Sequence, residues 1–397
     1  MREQDFLWKR RTAWFLVSQC ITLFGSTLVQ MAIVWYATLE TAKGFWVAAF
    51  SIAAYLPQFL MSFIGGAWAD RYARKKLIII ADALIAGVTL LMVVLFPCFK
   101  DERLLLSVLL LLTLLRSLGA GVQTPAVNAT LPDLVPTSKL LRVNGINASM
   151  QAVVNFAAPA AAGAVMVHSS LRAILMIDVL TAVLGIGLLL LIAMPCQKTV
   201  SQTKVFQSIG HGLRGAFGTP QIRSVLFSYG CFTFLCVPAG FLAELYVRRV
   251  FGDTYWYLTL VELVGFAGMC AGGLVMSLWG GFQKCQRTLS IGLTFFGVCA
   301  IMMGMVDVFA LYLFSMLCYG VAMTMVQTSL TTLLQETAPQ ALQGRVFGFM
   351  SSMYAGALPL GMAVFGPLAD YYSLSGLMIL SGIAALMMAF ANRGVRL

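Results

Sequence analysis

Residues Gly65 to Lys76 read GGAWADRYARKK. A long apolar run ends there in Asp70, the basic residues Arg71, Arg74, Lys75 and Lys76 follow at once, and a second apolar run begins at Leu77. Such a charge cluster does not enter a bilayer, whereas glycines let two helix ends come close. The stretch therefore reads as a short, tightly packed loop on one side of a membrane, and the positive-inside rule assigns that side to the cytoplasm. The plain reading is a topology anchor. The sharper one is a structural latch in which Asp70 caps a neighbouring helix N-terminus or pairs with an arginine.

Working outward, 60% of the 397 residues are apolar and only 10% are charged. A soluble globular chain carries about 25% charged residues, so this chain has too little polar surface for water and reads as an all-α polytopic membrane protein. Its nine cysteines form no CxxC pair and mostly fall in apolar runs, and His168 and His211 are the only histidines. Neither a disulfide framework nor a metal centre is expected, and no cofactor. No nucleophile–base cluster stands out, which argues against an enzyme, and no glycine-rich loop ends in Gly-Lys-Ser/Thr, which argues against ATP hydrolysis. The apolar run from Thr12 to Leu39 is too long for a signal peptide and reads as a first spanning helix.

Apolar runs long enough to span occur near 13–38, 45–68, 77–97, 104–127, 144–167, 171–194, 222–246, 255–279, 288–306, 308–333, 346–369 and 374–392. Twelve spans place both termini on one side. With that side inside, nineteen lysines and arginines fall in inner segments and six in outer ones, Lys43, Lys100, Arg103, Arg172, Arg248 and Arg249. This bias predicts cytoplasmic termini in the inner membrane of a bacterium, and it explains the net charge of +11 without nucleic acid. The polar stretch from Cys196 to Arg223 divides the spans into two six-helix halves. The expected organisation is an N-terminal bundle over 1–195, a cytoplasmic linker over 196–221 with an interfacial helix around Phe206–Phe217, and a C-terminal bundle over 222–397. The halves look related: at an offset of 203, Asp133, Pro136 and Arg142-Val143 recur as Glu336, Pro339 and Arg345-Val346. Repeat-built transporters place substrate sites near mid-membrane between such halves.

Ionisable groups inside a bilayer are costly and are functional candidates by default. Asp82 in helix 3, Arg116 in helix 4, Asp178 in helix 6 and Glu262 in helix 8 qualify; Glu244, near the outer end of helix 7, is the weakest. An unpaired Arg116 is expensive, and Asp82 on the adjacent helix is one option for its partner, as a static salt bridge or as a working one. Asp178 and Glu262 lie in opposite halves, and a carboxyl that gains and loses a proton as access alternates is the simplest coupling device. Ala158-Pro159 to Gly163 combines a helix breaker with small residues, read as packing or as a hinge against the other half.

Three of these stretches resemble motifs of the major facilitator superfamily: GGAWADRYARKK its loop 2–3 signature, Arg116-Ser-Leu-Gly119 its helix-4 motif, and Pro159 to Gly163 its helix-5 antiporter motif with alanines for glycines. LVQMAIVWYAT, DRYARKKLIIIAD, RSLGAGVQTPAVNA and VELVGFAG extend the resemblance over nearly the whole chain to the macrolide-efflux branch. It implies the fold of that superfamily and proton-driven export of an amphipathic small molecule from a lipid bilayer by rocking of two bundles, in a monomer. Gly66, Asp70, Arg71, Arg74 and Lys75 would then form an inner gate, Arg116 and the buried acids would handle charge, and Pro159 and Gly163 would support antiport. Another cargo (a siderophore, peptide, lipid or metabolite) and a non-transporting membrane partner are the competing expectations.

Overall fold

With nothing but hydrocarbon around it, a backbone satisfies its polar groups internally, and long helices do so within one segment. The computed structural model is built in this way. It describes residues 2–99, 101–136, 139–192, 220–337 and 340–394. The helices in chain order are α1 (Arg2–Thr41), α2 (Gly44–Arg71), α3 (Arg74–Leu95), α4 (Glu102–Leu134), α5 (Leu140–His168), α6 (Leu171–Leu191), α7 (Pro220–Cys236), α8 (Ala243–Val250), α9 (Tyr255–Trp279), α10 (Cys285–Met305), α11 (Phe309–Thr337), α12 (Gln340–Tyr371) and α13 (Leu374–Gly394). A π-helical turn, Val237–Phe241, joins α7 to α8. Among the described residues eleven helical segments are long and apolar enough to cross a membrane, with Gln221–Val250 counting as one. The 32-residue α12 has the length for a twelfth crossing. No strand occurs among the described residues.

Large apolar side chains such as Leu84, Leu91, Leu180, Leu274 and Leu360 stand exposed along the helices. A water-soluble monomer does not carry so extensive an apolar exterior; here it faces lipid, and the chain is a multi-pass membrane protein. Lipid gives no hydrophobic drive for helix to meet helix, so close approach rests on small residues. At the α10–α13 contact, a Cβ on Gly297 would stand 2.7 Å from the Gly382 carbonyl oxygen, and one on Gly382 would stand 2.6 Å from that of Gly297. Only glycine at both positions permits this spacing.

Contacts divide the chain into two units, Met1–Ala37 with Phe50–Ser201, and Thr38–Ala49 with Gln202–Leu397. The linker and its expected interfacial helix lie outside the described residues. In the first unit a cluster of Phe15, Ile78, Ala126, Leu131 and Leu189 fills one end of the bundle. In the second unit, Asp370 on α12 takes the Gly44 N–H at 2.6 Å and the Phe45 N–H at 2.9 Å. These are unsatisfied donors of the first turn of α2, where helix dipole and carboxylate attract. Arg249 pairs with Asp370 at 2.9 Å, donates to the Ala42 carbonyl at 3.0 and 2.7 Å, and also donates to the Ala369 carbonyl. Ala42 has φ of 50°, a left-handed conformation that disfavours a Cβ. The Arg249 and Asp370 bonds hold the 42–45 turn in that geometry.

Candidate functional site

The first unit holds its charged centre where α3, α4 and α6 meet. Arg116 on α4 is 8% exposed, Asp178 on α6 2% and Thr89 on α3 0%. The Arg116 guanidinium forms an ion pair with Asp178 and donates to the Thr89 hydroxyl, which itself lies 3.2 Å from the same Asp178 oxygen. A buried charge pair persists when its remaining lone pairs are also satisfied, and Thr89 serves that purpose. Gly25 on α1 lets the helices close over the pair: a Cβ there would stand 2.0 Å from the Thr181 hydroxyl and 3.1 Å from Asp178.

The partner of Arg116 is thus Asp178 rather than Asp82. Helical side chains lean toward their own N-terminus. Arg116 and Asp82 lie about 20 Å from the α3–α4 turn by helical rise, at similar depth on antiparallel helices, so their side chains lean apart. Arg116 leans toward the end from which α6 starts, and Asp178 lies on its side. Asp82 is buried, 6% exposed, and interacts electrostatically with Asp178.

Beside the pair, α2 is opened at Pro57. The Ser117 hydroxyl inserts into its hydrogen-bond ladder, accepting from the Gln58 N–H at 2.8 Å and donating to the Ala54 carbonyl at 2.7 Å. Such an insertion bends a helix. A cavity of about 60 Å³ lies here, lined by Ser26, Gln30, Gln58, Thr113, Arg116 and Ser117 among others. That volume admits a few waters, whereas a drug-sized ligand needs roughly 300–1,000 Å³. The cavity suits hydration of Arg116, not capture of a bulky substrate. Gln30, Gln58 and Thr89 were not singled out by sequence, although polar side chains inside apolar runs were a signal for them.

At the α2–α3 turn, Arg74 donates to the Ala69 carbonyl at 3.1 Å and the Ala129 carbonyl at 2.5 Å, and pairs with Asp133 at 2.6 Å. Lys75 donates to the Leu190 and Ile192 carbonyls at 3.0 and 2.7 Å, placing a cation at the C-terminal end of α6. The expected latch of Asp70 takes a different form. Asp70 and Arg71 are exposed, and Asp70 makes no hydrogen bond or ion pair with another described residue; the acid in the cluster is Asp133. Gly66 has open space where a Cβ would be. Pro159 and Gly163 are buried in α5, which continues through Pro159.

In the second unit, helix 7, expected over 222–246, is the single span Gln221–Val250 with a π-helical turn inside it. The helix widens at Val237–Phe241, where the Leu242 N–H reaches back to the Val237 carbonyl at 3.0 Å and the Tyr319 hydroxyl donates to the Cys236 carbonyl at 3.2 Å. Pro238-Ala239-Gly240 was the sequence signal for this turn. Glu244 follows immediately, 8% exposed, and interacts with Glu262 on α9.

The family model described as Major Facilitator Superfamily matches residues 15–362. The chain is 26% identical over 381 residues to macrolide efflux protein A of Streptococcus pyogenes, covering 94% of this chain and 93% of that protein. It is 27% identical over 201 residues, 47% of each chain, to the multidrug efflux pump Tap of Mycolicibacterium fortuitum. Among solved structures it resembles a bacterial homologue of the iron transporter ferroportin in an inward-facing state, with a TM-score of 0.75, 17% identity and coverage of 97% and 99%. A POT family transporter in complex with 5-aminolevulinic acid gives a TM-score of 0.75 at 11% identity, over 96% and 95% of the two chains.

Proposed function

Because the chain belongs to the major facilitator superfamily and is a transporter rather than an enzyme, we propose that it exports amphipathic drugs, macrolides among them, by exchange for protons. The observation that carries this reading is the set of carboxyls kept within its membrane-spanning helices, Asp82 and Asp178 with the buried Arg116 in the first unit and Glu244 and Glu262 in the second. Groups so costly to bury are retained where charge must be handled. The efflux proteins to which the chain is similar over most of its length supply the cargo class. In this reading Arg74, with Asp133, and Lys75 rigidify the cytoplasmic end, and Pro159 and Gly163 serve the seam of α5. The termini face the cytoplasm of a bacterial cell, and one chain suffices.

The test is accumulation of labelled erythromycin in cells expressing the chain, with and without a protonophore. Low accumulation that rises when the proton gradient collapses is the expected result. Accumulation equal to that of cells without the protein, with the protein present in the membrane, refutes the macrolide assignment and directs the search to other cargo.

A further inference from the structure

Helical spacing brings a set of polar side chains to the cavity beside Arg116. Ser26 and Gln30 stand one turn apart on α1, Gln58 lies at the opened ladder of α2, and Thr113, Arg116 and Ser117 share one face of α4. Two of the three hydroxyls are already used: that of Ser117 on the α2 backbone, and that of Thr113 on the Leu109 carbonyl at 2.9 Å. Arg116 gives only its Nη1 to Asp178 and Thr89. Its Nε and Nη2, the side-chain amides of Gln30 and Gln58 and the Ser26 hydroxyl make no hydrogen bond to another described residue.

Buried donors find partners, and for a guanidinium that is 8% exposed the cavity it lines is the place to find them. The charge of the cavity decides which partner fits. Asp178 already answers the guanidinium, so an anion meets no free positive charge; no acid lines the cavity, so a cation meets no counter-charge. What the lining matches is a neutral group that both donates and accepts, because a primary amide offers two N–H donors and a carbonyl oxygen while the guanidinium offers donors alone. Ile33 and Ile85 add an apolar wall. The volume of about 60 Å³ equals roughly two waters at about 30 Å³ each, the space of two or three heavy atoms.

We infer that this cavity is a hydrogen-bonding subsite that takes one short neutral arm of an amphipathic substrate, a hydroxymethyl or carboxamide group, and that Gln30 and Gln58 determine whether the arm is accepted. The oxygen of the arm accepts from the Arg116 and glutamine N–H groups, and its hydrogen goes to a glutamine carbonyl oxygen. These bonds replace those of the waters that the arm displaces. A group of the same shape that cannot hydrogen-bond expels the same waters and leaves the amides unpaired, which is how a polar site rejects an analogue. The bulk of the substrate stays outside this volume. The inference rests on the drug-export reading for the kind of molecule that carries the arm, but not for the subsite.

The test is equilibrium dialysis of the purified full chain in detergent against two neutral amphipathic probes, thiamphenicol and florfenicol, which differ in one group, CH2OH in the first and CH2F in the second. The wild type should bind thiamphenicol about tenfold more tightly than florfenicol. Gln30→Met and Gln58→Met keep the length of the side chain and remove the amide. Each should cut the preference to about threefold or less, and the double variant should abolish it, while florfenicol affinity and the gel-filtration profile stay as in the wild type. A purely structural role for the two glutamines would change the affinity of both probes together. A wild type that binds neither probe, or both alike, overturns the inference, and so does a preference that survives in the double variant. Failure of erythromycin export with the preference intact refutes the drug-export reading and leaves the subsite standing; export without any preference refutes the subsite alone.

Discussion

Removing one member of the Arg116–Asp178 pair should be far more damaging than removing both, and the two single changes should differ. Both side chains are almost wholly buried and share Thr89. Taking one partner from a buried ion pair costs about 3–5 kcal/mol, whereas replacing both with apolar groups of similar volume is close to neutral. Asp178→Asn leaves Arg116 with Thr89 and the new amide oxygen. Arg116→Met leaves Asp178 buried without its cation while Asp82 still interacts electrostatically with it. We therefore expect Asp178→Asn near 3 kcal/mol, Arg116→Met near 5, and Arg116→Met with Asp178→Leu within about 1 kcal/mol of the wild type. Reversible unfolding in mixed dodecyl sulfate and maltoside micelles, followed by tryptophan fluorescence, measures all three. Additive single effects in the double variant, or Asp178→Asn more destabilising than Arg116→Met, would refute this account of the centre.

Asp370→Asn keeps the shape of the 42–45 clamp but removes its charge; losing charge-assisted bonds of this kind costs about 1.5–3 kcal/mol, and hydrogen exchange followed by mass spectrometry should show faster exchange at Gly44 and Phe45. Gly382→Leu places a branched side chain where a Cβ already meets the Gly297 carbonyl at 2.6 Å; the α10–α13 seam must open, and yield in the membrane should fall at least severalfold, a result that Gly376→Leu, at an open position, should not reproduce.

What was legible in the sequence follows from what one dimension encodes. Spans, their order and the depth of each charged residue come from run length and a fixed rise per residue, so the helices of the first unit and the burial of Arg116, Asp82 and Asp178 could be read directly. Azimuth and lean could not. Arg116 and Asp82 lie at one depth on neighbouring helices, which made Asp82 a natural partner; only the direction in which each side chain leans gives Arg116 to Asp178, 62 residues away. The latch at Gly65–Lys76 was readable as a charge cluster, but its acid is Asp133 on α4, brought in by folding. Ser117 looks like one more small residue in the helix-4 motif until α2 is found open at Pro57 around it. The π-helical turn at Val237–Phe241 was marked by Pro238 and Gly240, and an apolar-run criterion passes over such marks.

The two buried acidic centres differ in what completes them. In the first unit Asp178 has a guanidinium and a hydroxyl, both from the chain itself, so its charge is answered whatever the cell supplies. In the second, Glu244 and Glu262 interact across α8 and α9, and the Tyr312 hydroxyl has no hydrogen-bond partner among the described residues. A centre closed by its own chain can hold helices in place indefinitely. Arg116–Asp178 is the fixed charge that holds α3, α4 and α6 in register.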